Sequence, residues 1–398
     1  MRIGVASWFN PKVISDLLFD NDVENIPDIN KGISSVNTLV REMVLQGCNV
    51  VVFTYGAIKK KHIVLEGEKV KVHILNSEYG IRGLSNFDRL YMQPRLTKVI
   101  ESEIANIDVL HAHWTYDFAL VAKKFERILP VFCSVRDWCP YIMSMNVALK
   151  DRIIWQLYYY IFKRVMNSDR IHFIANSDYT KKQILGSYPL KHVDIIPNPI
   201  YKGYVLEKKV DRPAKPVFIA ISQSAGGKRK NYDVLIKAFH LYRNHRPDAE
   251  LRLVGNGFGE GSALVERWRI EKLLDGVRLY GFVSHEELME VIDTSTALIH
   301  PSLEETFGNI LLEGMARCTI VIGGDKSGAV PQVLGYGKYG ILCDVTDPKS
   351  ICDAMIKTEN EELVLKYTRN ATSYLKNNYC SDSVVQAHLN LYEKYLKE

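Results

Sequence analysis

Pro301-Ser302-Leu303-Glu304-Glu305-Thr306-Phe307-Gly308-Asn309-Ile310-Leu311-Leu312-Glu313-Gly314-Met315-Ala316 is the most informative stretch of the chain. It follows the apolar run Ala297-Leu298-Ile299-His300, which reads as a buried strand, and it opens a helix. Backbone amides at a helix start lack intrahelical partners and can hold anionic or hydroxyl oxygens. Gly308 permits a ligand to approach the backbone closely. A carboxylate at Glu305, just before the helix, can accept hydrogen bonds from sugar hydroxyls. Glu313 comes roughly two turns later and can reach a second part of an extended ligand, such as a ribose diol. Taken alone, the two glutamates fit a capped helix with a solvated Glu305 and an incidental Glu313 better than a ligand site.

Outward from this stretch, short apolar runs alternate with longer amphipathic ones. Val217-Phe218-Ile219-Ala220-Ile221, Leu251-Arg252-Leu253-Val254, Val277-Arg278-Leu279-Tyr280 and Ile320-Val321-Ile322 read as strands of the same sheet. The first half repeats the pattern at Val50-Val51-Val52-Phe53, Val109-Leu110-His111, Val131 to Val135 and Ile171 to Ile174, with a helix predicted from Ser35 to Leu45. Such alternation implies α/β architecture, with parallel sheets covered on both faces. Ile196-Pro197-Asn198-Pro199 and the polar segment Lys208 to Pro216 interrupt it and read as an interdomain linker. The expected domains are residues 1–205 and 206–380, and the end of the chain reads as helical. Trp155 to Phe162, followed by Lys163-Arg164, fits a helix packed on the first sheet or one facing a membrane.

A chain of 398 residues, 47% hydrophobic and 24% charged, has the composition of an ordinary globular protein with room for two cores. The net charge of +5 sits in residues 1–200, with 25 Lys and Arg against 20 Asp and Glu. This is too mild for a nucleic-acid stripe and compatible with an anionic membrane surface. Seven scattered cysteines without a Cys-x-x-Cys point to buried free thiols in a reducing compartment. No apolar run spans a bilayer and none resembles a signal peptide, so the expected location is cytoplasmic, with a peripheral contact at the inner face of the membrane left open.

The 301–316 stretch, with its Pro-Ser, two glutamates, Phe-Gly and Gly-Met-Ala, resembles the Glu-x7-Glu motif of the retaining glycosyltransferases of family 4, the glycosyl transferases group 1. The resemblance continues through Lys230-Asn231, Val254-Gly255-Asn256-Gly257, Leu279 to Val283 and Ser327-Gly328-Ala329-Val330-Pro331. It implies the GT-B fold, two Rossmann-like domains facing each other across a cleft, with the last helix, residues 381–398, returned to the first domain. It further implies hexosyl transfer from a nucleotide sugar to an acceptor hydroxyl with retention, in bacterial cell-surface polysaccharide synthesis, on a glycan or lipid-linked glycan. Glu305 then binds the donor hexose, Glu313 the ribose and Lys230 the diphosphate. Gly255, Val283 and the backbone of Thr306, Phe307, Gly308 and Asn309 complete the donor site. No protein nucleophile, cofactor or metal is required.

In the first half, Asp108-Val109-Leu110-His111-Ala112-His113 resembles the family's His-x-His, which implies that His113 faces the reacting sugar; Gly32 stands for the first-domain glycine loop. The bare spacing of His111 and His113 also fits half of a metal site or a buried hydrogen-bonded pair. Three departures stand out. The strand-end arginine that the family places on the diphosphate is absent from Ser222 to Gly227, so Lys228 or Arg229 is expected to replace it. A family histidine on the next strand of the first domain is Arg136, on the acceptor side, and a late glutamate is Gln332. Asp20-Asn21-Asp22 spells a metal motif of another fold, in the wrong place. Two other readings stand beside transfer: a nucleotide-sugar epimerase of the same architecture, and a sugar-nucleotide-binding protein without catalysis.

Overall fold

A computed structural model describes residues 1–27, 29, 34–77, 88–144, 149–189, 191–207, 213–222, 227–259 and 261–397. The chain divides into two compact units, Met1–Pro199 with Ser381–Glu398, and Ile200–Cys380. The division falls at Pro199 rather than at residue 205, because the intervening residues belong with the second unit: Ile200 bridges to Cys380, and the Leu206 amide donates to the Ala316 carbonyl.

The first unit is built on β1 (Arg2–Ala6), β2 (Asn49–Gly56), β3 (His62–Glu66), β4 (Val70–Asn76), β5 (Val109–His113), β6 (Val131–Val135), β7 (Ile171–Ala175) and β8 (Val193–Ile195). They form one sheet in the order β3-β4-β2-β1-β5-β6-β7-β8, parallel except for the edge strand β3. Alternate residues of each inner strand enter different cores. Val51, Phe53 and Tyr55 pack into one, Val50 and Val52 into the other. That is why these strands read as unbroken apolar runs: both faces are covered. The helix Leu149–Met166 covers the first face, burying Tyr158, Ile161, Phe162, Val165 and Met166 and leaving Ile153 and Tyr160 exposed. Helices Ser34–Leu45 and Ser381–Lys397 cover the second, the latter through Val384, Val385, Leu391 and Tyr392.

The second unit carries β9 (Val217–Ile221), β10 (Glu250–Val254), β11 (Val277–Gly281), β12 (Ala297–His300), β13 (Ile320–Gly324) and β14 (Ile341–Cys343), all parallel, in the order β11-β10-β9-β12-β13-β14. The order reverses between β9 and β12. In an open parallel sheet, loops diverge on either side of such a point and leave a crevice at the carboxyl ends of the strands. β12 shows the same two-faced burial, with Ala297 and Ile299 in one core and Leu298 in the other.

All seven cysteines are free and buried. Asp22, set aside as a metal ligand, accepts the Glu66 backbone amide at 2.9 Å and so helps fix the edge strand. No helix among the described residues is long and apolar enough to cross a membrane.

Candidate active site

At the β9/β12 reversal two loops are laced together. Leu303 donates its amide to the Arg229 carbonyl at 2.8 Å. Asn231 donates from Nδ2 to the carbonyls of Pro301, 3.1 Å, and Val345, 2.7 Å. Its backbone is left-handed, φ 59°, which asparagine tolerates better than most residues. A residue that both turns the chain and ties it to two neighbouring loops delivers Lys230 to a fixed place.

That place is Glu305. Lys230 Nζ lies 2.6 Å from its Oε1, His300 Nε2 3.3 Å from the same oxygen, and Arg229 Nη1 3.7 Å from Oε2. Burial opposes ionisation of Glu305, but His300, Lys230 and Arg229 outweigh it and hold the carboxyl far below the usual range. Arg229 also donates to the Glu304 carbonyl at 3.1 Å. Behind Glu305, Ala329 donates its amide to the Glu305 carbonyl at 2.8 Å. A Cβ on Gly328 would sit 2.3 Å from that oxygen, and the φ of +63° disfavours side chains there, so this contact needs glycine.

Phe307 is buried in the core beside Tyr379, leaving the chain from Thr306 to Asn309 to turn into the helix Asn309–Ala316. Gly308 occupies the cap. Glu313 is buried within this helix, and its Oε2 has no hydrogen-bond partner among the described residues. Burial alone pushes its carboxyl up to about 7. Gly255 follows β10 with its Cα pressed against the Ser222 carbonyl, where a Cβ would clash at 1.8 Å. Val283 follows β11 and packs partly on the core. Lys228 is exposed. Thus Lys230, Arg229, Glu305 and the 306–309 backbone converge at one crevice. Gly255 and Val283 line the carboxyl ends of neighbouring strands, and Lys228 is solvent-exposed. Neither Gly32 nor residues 223–226 are among the described residues.

In the first unit, β5 ends in the two histidines. Their ring centroids are 4.2 Å apart, and both are fully buried. His111 lies 2.6 Å from Tyr392 Oη through Nδ1 and 2.8 Å from Ser134 Oγ through Nε2. His113 accepts from Arg136 Nε at 3.0 Å through Nδ1, and its Nε2 has no hydrogen-bond partner among the described residues. Burial, with help from His388 and Arg136, keeps His111 neutral; burial, with His111, Arg136 and His388, does the same for His113. Arg136 is pushed down to about 10 by burial, which leaves it charged. No group of three metal-ligating side chains forms among the described residues. Sequence reading missed His300, which looks like one more core residue at a strand end, and the Ser35, Asn198 and Tyr392 contacts, which only the fold assembles.

A family model described as Glycosyltransferase Family 4 matches residues 34–201, and one described as Glycosyl transferases group 1 matches residues 206–377. N-acetyl-alpha-D-glucosaminyl L-malate synthase of Bacillus anthracis is 23% identical over 81% of this chain and 83% of its own length. Sucrose-phosphate synthase from Thermosynechococcus elongatus superposes with a TM-score of 0.72 at 16% identity, covering 98% of each chain. Anabaena HepE, solved in complex with UDP and glucose, gives 0.70 at 14% identity over 99% of this chain and 100% of that one. These structures share the GT-B fold with this chain, and the two adjoining family models, which together match most of its length, make it a glycosyltransferase of the family 4, group 1 type.

Proposed function

We propose that the chain transfers a hexosyl group from a nucleotide sugar to an acceptor hydroxyl with retention at the anomeric carbon. The observation that carries this reading is the pairing at the β9/β12 crevice. An ionised Glu305 is clamped by Lys230 and His300, and a buried Glu313 with an unsatisfied oxygen follows on the helix Asn309–Ala316. Departure of a nucleoside diphosphate needs positive charge near its phosphates, and the sugar left behind develops oxocarbenium character. Lys230, Arg229 and the amides of Thr306 to Asn309 answer the first need. Glu305 accepts hydrogen bonds from donor hydroxyls and its charge favours the cationic sugar. Glu313 accepts from the ribose diol, which satisfies its Oε2. The acceptor hydroxyl attacks from the leaving-group side and its proton passes to the departing phosphate, so no protein nucleophile is assigned.

The complexes of HepE with UDP and glucose support a uridine nucleotide as the first donor to try. A surface polysaccharide or its lipid-linked precursor is the acceptor class that the family resemblance favours, with the protein at the cytoplasmic face of the membrane. The test is release of nucleotide from a panel of UDP- and GDP-sugars, with and without acceptor glycans and with EDTA throughout. Glu305→Gln, which keeps the side chain's shape, is expected to lose at least about a hundredfold in turnover with an unaltered far-UV spectrum. Near-normal turnover in that variant, or a requirement for added Mn²⁺ or Mg²⁺, would overturn the assignment.

A further inference from the structure

We propose that Arg136 is a positioning residue that locks His113 as a neutral imidazole with its proton on Nε2, so that His113 offers the first unit's site a hydrogen-bond donor and no base. A guanidinium only donates. Arg136 Nε points at His113 Nδ1 at 3.0 Å, so that nitrogen must present a lone pair. The single proton of a neutral ring then sits on Nε2. An imidazolium would set one N–H against another.

The arginine cannot easily turn away. Its Nη1 donates to Ser35 Oγ at 2.9 Å and to Asn198 Oδ1 at 2.7 Å, and the guanidinium lies 5.6 Å from the Trp114 ring centroid. Three separate stretches of the first unit therefore hold it. The groups facing His113 favour the same state. His111 lies 4.2 Å away, its ring tilted, with both of its nitrogens engaged, His388 is held neutral by burial, and Arg136 repels a second positive charge.

Of the two β5 histidines, only His113 is left with a ring nitrogen that is buried and unpartnered among the described residues. By the tautomer argument that nitrogen is a donor. Its complement is an oxygen that accepts, such as a sugar hydroxyl or ring oxygen. This rests on the transferase reading for the identity of the ligand, while the tautomer itself does not. A histidine at position 136, as the family resemblance would place there, could either donate or accept and would leave the proton on His113 undetermined. Arginine makes it obligatory.

Long-range ¹H–¹⁵N correlation spectra of the labelled full chain, recorded from pH 5 to 8 and assigned by difference from His113→Gln, read the proton's position directly. His113 should show a protonated Nε2 and a bare Nδ1 across the whole range. Arg136→Met should mix the two tautomers and lower kcat at least about tenfold, since a misplaced imidazole proton is costly to catalysis. Arg136→Lys, which keeps a donor-only cation, should restore the Nε2–H form and part of the turnover. A wild-type His113 protonated on Nδ1, or titrating within this range, overturns the proposal, and so does an unchanged tautomer in folded Arg136→Met. Should Arg136→Met fail to fold, the wild-type spectra still decide. They also decide if no nucleotide sugar is turned over, which separates this inference from the transferase reading.

Discussion

Glu305 and Glu313 show how two identical side chains on one short stretch acquire opposite chemistry. Both are largely buried, which opposes ionisation. Glu305 is compensated by three basic groups and stays charged, whereas nothing compensates Glu313, whose carboxyl rises to about 7. Glu305 also holds Lys230: removing it strands that cation in a partly buried place, which is why glutamine is the cleaner probe. For Glu313 the linkage has a definite sign. The folded chain holds its proton up to about pH 7, while the unfolded chain releases it near the ordinary glutamate value of 4.5. Between these values the folded state binds more protons, so stability falls as pH rises, by roughly 3 kcal/mol in total. Glu313→Gln should therefore equal wild type in urea unfolding at pH 4.5. At pH 8 it should be more stable by a few kcal/mol, about 2–3, yet bind donor more weakly. Equal stability at pH 8 would show that water or relaxation already solvates the carboxylate.

At the scale of elements, the loop after β9 sets apart the two cations expected to stand in for the strand-end arginine. Lys228, Arg229 and Lys230 share one short 3-10 turn, and two of the three reach Glu305. Here Arg229 turns in, donating to the Glu304 carbonyl and approaching the carboxylates of Glu304 and Glu305, and Lys228 stays exposed. An exposed lysine contributes little to a charged ligand through water. Arg229→Ala is expected to raise the donor KM about tenfold or more, and Lys228→Ala to change it less than about twofold. Lysine at 229 should not rescue, because it lacks the planar fork that can serve a phosphate and the Glu304 carbonyl together. Equal effects at the two positions would refute the asymmetry. The same loops show what the amino-acid order reveals. Parallel strands buried on both faces announce themselves as apolar runs, and Glu305, Glu313 and Lys230 stand in a recognisable motif. The β3 edge strand did not show itself, since His62-Ile63-Val64-Leu65-Glu66 is half exposed and its charges look like a loop. Nor did the Arg136–His113–Ser35 contact: its members come from a strand end, the next strand's end and a helix start, brought together only by the sheet order.

For the whole molecule, the second unit is an insertion between the first unit's body and its last helix. It closes on itself. Ile200 donates its amide to the Tyr379 carbonyl at 2.8 Å and bridges Cys380 in parallel, and among the described residues both of the unit's cores draw on positions 200–380 alone. The first unit is not closed without residue 381 onward. Its second core includes Val384, Val385, Leu391 and Tyr392, Tyr392 packs on Phe132 with centroids 4.8 Å apart, and its hydroxyl partners His111. Residues 1–199 alone would therefore expose an apolar face and leave buried His111 Nδ1 without its partner, a loss of about 1–3 kcal/mol for that group before the area is counted. A fragment spanning 200–380 should unfold in one cooperative transition and gain melting temperature with the nucleotide sugar that the full chain accepts. A fragment of 1–199 should not melt cooperatively, but should do so when joined to 381–398. Because Ile200 and Cys380 are bridged neighbours, a Gly/Ser linker of about four residues, reaching roughly 13 Å, should suffice to join them. Cooperative melting of 1–199 by itself would mean that the last helix is dispensable packing. A 200–380 fragment that folds yet never responds to any nucleotide sugar would mean that Lys230, Arg229, Glu305 and Glu313 do not make a donor site unaided.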